Sequence, residues 1–201
     1  MRSLRLTLAV AVMCAAAGGA LAQDAAARTE AGRVIDKLAA IIARGETAAP
    51  RPTAALRTTF TEREVNAYFR IHGPAFLPEG VIEPRLTFDR AGRVQARAIV
   101  DLDQALKPKE RGWLDPLAWV GGKMEVTGTG TLQASNGLGV LTIDTVTLGG
   151  VAVPRTVLQE LVSYYSRSPE QPAGFRLDQP FELPSAIRAV ETTPGRAVIV
   201  Q

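Results

Sequence analysis

The sequence predicts an α+β protein with a long curved antiparallel sheet and a separate helix at the N-terminus. Three observations predict it. Apolar residues recur at helical spacing in 23–43, again after Thr61, and again after Pro154. Strict alternation of apolar and polar residues takes over from Pro84 and returns in 124–148 and 187–200. Turn chemistry separates the alternating runs, at Asp89-Arg90-Ala91-Gly92, Ser135-Asn136-Gly137 and Pro194-Gly195.

The chain opens on Arg2 and Arg5, an apolar run from Leu6 to Ala17, and small residues ending in Ala20-Leu21-Ala22. Signal peptidase reads that order, so residues 1–22 are expected to be a signal peptide, cut before Gln23, and the mature chain to be periplasmic or secreted. The apolar run is shorter than the about 20 residues a membrane-spanning helix needs. Cys14, the single cysteine, raises a lipoprotein alternative. Bulky Met13 just before it fits lipidation poorly, and the apolar run continues past it. Cleavage removes Cys14, which excludes disulfides, thiolate nucleophiles and cysteine metal sites from the mature chain. Of the formal net charge of +3, Arg2 and Arg5 leave with the leader, so the mature chain carries about +1. Arg and Glu alternate along it without a concentrated basic face, and no nucleic-acid partner is expected.

In 23–43, Ala31, Val34, Ile35, Leu38, Ile41 and Ile42 predict one apolar helix face, ended by Gly45. Pro50 and Pro52 mark 47–58 as an extended linker. The expected division is therefore 23–58 as helix plus linker and 59–201 as a single α+β domain. A second helix starts at Thr61, where Thr61 and Glu64 make a capping box and Phe60 can staple onto Val65; Gly73-Pro74 stops it. Leu86 and Phe88, then Val94, Ala96, Ala98, Val100 and Leu102, alternate with polar neighbours as a hairpin.

The second hairpin, 124–148, turns at Asn136-Gly137, a pair that accepts the positive backbone angles of a tight turn. Gly128 and Gly130 share one face of it, which lets that strand bend or accept a close neighbour. Small inward residues on long strands point to curvature. Pro154 opens a third helix with Val157, Leu158, Leu161, Val162 and Tyr165 as its apolar face. A final hairpin follows Phe181-Glu182-Leu183-Pro184.

Chemistry-bearing residues are few. His72 is the one histidine, so zinc constellations of the usual kind cannot be built. It falls in the last turn of a helix, where a cation meets the dipole favourably. Glu62 and Glu64, two apart on a helix, point to different sides. Asp101 and Asp103 read as a solvated strand terminus, since a calcium site needs more oxygens than the neighbourhood offers. No catalytic residue, metal or cofactor is expected. Lys107, Lys109 and Arg111 precede Trp113 and Trp119, the two tryptophans of the chain. That segment reads either as a membrane contact, for which indole rings suit the interface, or as a strand connection folded back onto the core.

The stretch Phe60-Thr61-Glu62-Arg63-Glu64-Val65-Asn66-Ala67-Tyr68-Phe69, the long alternating strands, Asn136-Gly137, Val153-Pro154, Phe181-Glu182-Leu183-Pro184 and Ile187 together resemble small bacterial envelope proteins of the tubular lipid-binding (TULIP-like) type. The resemblance covers most of 60–201 and leaves the first helix and its linker aside. It implies a strongly bent antiparallel sheet wrapped around a helix, with an apolar groove for acyl chains and no catalytic residues. The expected function is binding of a lipid or other apolar small molecule in the envelope, lined by Leu86, Phe88, Val94, Ala96, Ala98, Val100, Val126 and Leu132. The alternative is a periplasmic protein-interaction module with a filled core and no ligand.

Overall fold

The computed structural model describes residues 3–47, 55–89, 92–105, 122–167, 169 and 172–201. Helix α1 runs unbroken from Ser3 to Glu46, across the expected cleavage point between Ala22 and Gln23. It buries Ala27, Ala31, Val34 and Ile41, while Ile35 and Ile42 stand 44% and 47% exposed. The predicted apolar stripe is thus split, because the partners of α1 lie on one side only. The helix ends at Glu46, one residue past Gly45. A Cβ at Gly45 would sit 2.4 Å from the Ser185 backbone, so the glycine permits a close crossing.

Strand β1, Arg57–Thr61, occupies the end of the predicted linker, a correction to 47–58 as extended linker throughout. Its neighbour is β9, Arg196–Val200, and main-chain pairing rewards the extended backbone that the sequence alone left without a partner. Pro50 and Pro52 lie outside the described residues. Helix α2, Glu62–His72, begins with the predicted capping box: the Glu64 N–H donates to the Thr61 hydroxyl at 3.2 Å, and the Thr61 N–H donates to the Glu64 carboxylate at 2.8 Å. A short 3₁₀ turn, Gly73–Ala75, follows.

The core lies where α1 crosses α2 and the β1–β9 pair. Ala27 and Ala31 of α1 meet Ala67 of α2, small residues that let the helix backbones approach, with Tyr68 and Ile71 beside them. Val34 and Ile41 pack on Phe60, flanked by Leu38, Val65, Ile187 and Ile199. Phe60 next to Val65 is the predicted staple. One polar node ties the layers together: the Lys37 ammonium donates to the Glu64 carboxylate and to the Thr59 carbonyl, each at 2.7 Å. Burial acts most strongly on the Glu64 carboxyl and would raise its pKa. The hydrogen bonds from Lys37 and Thr61, with the Lys37 charge, outweigh burial and hold it below the ordinary value.

The remaining strands are β2 (Val81–Phe88), β3 (Arg93–Asp101), β4 (Lys123–Ser135), β5 (Leu138–Leu148), β6 (Val151–Ala152), β7 (Pro180–Glu182) and β8 (Ala189–Thr193). A one-turn helix, α3 (Leu102–Ala105), follows β3, and α4 (Arg155–Tyr165) follows β6. The strands form one nine-stranded antiparallel sheet in the order β1-β9-β8-β4-β3-β2, with β5 pairing β4, β6 and β7. The α+β class, the large antiparallel sheet and the N-terminal helix are therefore as read. The predicted turns at Asn136-Gly137 and Pro194-Gly195 form, with Asn136 at φ 53° and Gly137 at φ 80°, and Arg90 and Ala91 of the first predicted turn lie outside the described residues. Helix α4 opens after Pro154 as predicted, yet none of its residues is buried. It is tethered by polar bonds instead, from the Gln159 amide and the Ser163 hydroxyl to the Phe175 carbonyl, each at 3.1 Å.

Candidate functional site

Pairing register brings the eight candidate lining residues onto one side of β2, β3 and β4. Leu86 lies opposite Ala96 and Phe88 opposite Val94. Ala98 faces Val126, and Val100 faces Met124. Leu132 sits two residues beyond Gly130, the partner of Val94. None of the eight is buried: seven are half-buried and Ala96 is exposed. The reverse side is polar, with Thr127 and Thr129 hydrogen-bonded to Thr147 and Thr145 at 2.7 and 2.8 Å, and Arg97 bonded to Glu125 at 2.9 Å.

The same apolar face continues onto β5 through residues the sequence reading missed: Leu141, Ile143, Val146 and Leu148. The cause is a β-bulge. Thr129 pairs with Thr145 and Gly130 with Ile143, so Asp144 has no opposite residue, and the apolar phase shifts from odd to even numbers across it. That phase change is visible in Leu141-Thr142-Ile143-Asp144-Thr145-Val146-Thr147-Leu148 and was the available signal. Gly130 is required there, since a Cβ would lie 2.7 Å from the Thr142 carbonyl oxygen. This is the close neighbour anticipated for the glycine pair.

The free edge of β2 is covered by α2. The Asn66 amide donates to the Leu86 carbonyl at 2.8 Å and accepts from the Leu86 N–H at 2.7 Å. The Phe88 N–H donates to the Glu62 carboxylate at 3.1 Å. Two helical side chains thus replace a further strand, which satisfies edge groups that would otherwise invite another chain.

Between α1, α2 and the start of β2 lies an open cleft of about 860 Å³. Its charged lining is Glu30, Glu62, Arg63, Arg70, Glu83 and Arg85. Glu30 is buried and bonded to Arg63 and Arg33. Arg70 lies 3.9 Å from Asp24, at the limit of an ion pair. The register of β2 breaks between Ile82 and Arg85, and Glu83 adopts φ 47° directly before Pro84. A residue ahead of proline prefers extended backbone, so this left-handed conformation costs on the order of 1–3 kcal/mol.

Other candidates are placed as follows. His72 stacks near Tyr68, ring centres 5.2 Å apart, in an aromatic group with Phe69 and Phe76. Glu62 and Glu64 are both engaged in structure, at the sheet edge and the helix cap. Asp101 corrects the expectation of a solvated terminus: it is buried and accepts from the N–H groups of Asp103 and Gln104 at 3.1 and 3.3 Å, capping α3. Among the described residues, no three His, Cys, Asp or Glu side chains converge as metal ligands. No described helix is long and apolar enough to cross a membrane. Lys107, Lys109, Arg111, Trp113 and Trp119 lie outside the described residues.

Comparison with protein-family models, with curated proteins and with solved structures gives no match.

Proposed function

We propose that this is an exported, non-catalytic envelope protein that holds an acyl chain or other apolar molecule against the apolar face of β2, β3, β4 and β5. The observation that carries the reading is that this face is continuous across four strands, from Leu86 and Phe88 to Val146 and Leu148, and none of these residues is sealed from solvent. A binding surface is apolar area that the protein's own packing leaves unfilled. The small residues Ala96, Ala98, Gly128 and Gly130 leave room along its middle. Bulges in β2 and β4–β5 favour bending. A sheet bent about its ligand and a helix, after the manner of the tubular lipid-binding proteins that the sequence resembles, belongs to the same proposal.

Native mass spectrometry of the protein purified from its own envelope tests it. Wild-type protein is expected to carry co-purified lipid, and Ala98→Trp, which fills the middle of the face, to lose it. A wild-type protein free of lipid that also fails to take up added fatty acid would overturn the reading. A second reading, a protein-interaction module, is favoured by α4, whose Val157, Leu161 and Tyr164 stand 42%, 47% and 62% exposed in a stripe.

A further inference from the structure

We propose that Gln23 is a modification site: once the leader is cut away, it closes on itself to a pyroglutamate lactam and gives the mature chain a neutral, blocked N-terminus at the cleft between α1 and α2. The modification depends on the export reading above, because the amine it needs exists only after cleavage.

In the uncut chain α1 is continuous and the nitrogen of Gln23 belongs to a peptide bond. A cut before Gln23 turns that nitrogen into a primary amine, which reaches the Cδ of its own side chain through a five-membered ring. The N–Cδ bond forms and the Cδ–Nε2 bond breaks. The side-chain nitrogen leaves as ammonia, carrying the proton that the attacking amine gives up. Nothing is oxidised or reduced and no co-reactant enters, and holding both groups on one residue replaces an encounter between molecules.

The structure leaves this residue free to react. Gln23 is exposed, and its side chain has no hydrogen bond or ion pair among the described residues. The first buried residue after it is Ala27, one turn further along α1. A helix end without packing frays, so the ring closes without disturbing the core. Asn136-Gly137 makes the contrast, since attack of the Gly137 nitrogen on the Asn136 amide is a related reaction. There the Gly137 N–H donates to the Arg188 carbonyl at 2.9 Å, and the Leu183 N–H donates to the Gly137 carbonyl at 2.8 Å, which pins the attacking nitrogen.

Electrostatics favours the product. An ammonium group at the start of a helix meets the positive end of its dipole, whereas a carboxylate is welcome there. Asp24 supplies that carboxylate, 3.9 Å from Arg70 of α2, and a free ammonium one residue away would compete with Arg70 for it. Gln23 and Arg70 both line the cleft, so the lactam leaves it one cation fewer. The lactam also denies an aminopeptidase the free amine it grips. Trimming from that end would reach Ala27 and then Ala31, which pack on Ala67.

The test is mass spectrometry of protein purified from its own envelope, treated with an amine-reactive label before digestion. The N-terminal peptide is expected to begin at Gln23, to be lighter by one ammonia and to carry no label on its α-nitrogen. Gln23→Ala should be labelled there, and an aminopeptidase should shorten it while wild type keeps its full length. A peptide that begins at Gln23 with a labelled amine in most molecules refutes the lactam and leaves the export reading standing. A chain that still begins at Met1, or that begins at another residue, refutes the lactam together with the cut before Gln23.

Discussion

The two ends of this molecule treat their apolar residues differently. Where α1 and α2 cover the β1–β9 pair, Ala27, Ala31, Val34, Ile41, Phe60, Ala67, Ala197 and Val200 are all buried. Across β2, β3, β4 and β5, only Asp101 and Gly139 are buried, although the sheet there presents a longer apolar face. The distinction is the second layer. A sheet face becomes a core only when a helix or another sheet lies on it. In this protein α2 reaches β2 at its edge, through Asn66 and Glu62, and α4 buries none of its own residues. One end is closed by packing, and the other leaves its apolar residues half-buried or exposed.

Truncation should separate the two ends most sharply. Phe60→Ala removes the centre of the packed end and is expected to cost about 3 kcal/mol, whereas Val126→Ala on the open face should cost about 1 kcal/mol or less. Urea unfolding of both measures the gap, and equal costs would mean that the open face is a sealed core. A smaller effect is expected at the junction of the two ends. Asn66→Ala strands the N–H and the carbonyl of Leu86 and should cost about 2 kcal/mol, with faster hydrogen exchange confined to β2.

The smallest effect is a pH dependence at the packed end. The Glu64 carboxyl titrates below its ordinary value in the folded chain, so its contribution is present above the unfolded pKa and declines as pH falls through the folded one. The stability difference between wild type and Glu64→Gln should therefore be largest near neutrality and shrink on acidification below about pH 4.5. A difference that grows in acid contradicts the Lys37–Glu64 pairing.

Much of this was legible in the chain itself. The capping box at Thr61 and Glu64, the staple from Phe60, the Asn136-Gly137 turn and the helix after Pro154 are local chemistry, decided within a few residues. So was the shared side of Leu86, Phe88, Val94, Ala96, Ala98 and Val100, because alternation fixes sides within a hairpin, whereas Val126 and Leu132 join that side only through the β3–β4 pairing. The face on β5 was missed because a bulge resets the alternation at Asp144, and bulges are set by the partner strand. The cleft was missed for a related reason: Glu30, Arg70 and Arg85 lie far apart in sequence, and no local pattern joins them.

By itself the sequence determined the elements, the turns between them and which side of each strand is apolar, since these follow from backbone geometry and side-chain period. Only the tertiary structure decided that β1 pairs with β9, that Gly45 passes against Ser185, that Asp101 is buried as a cap, and which apolar face is covered. Burial depends on what arrives from elsewhere in the chain, and the alternation of a strand is the same whether or not a second layer covers it.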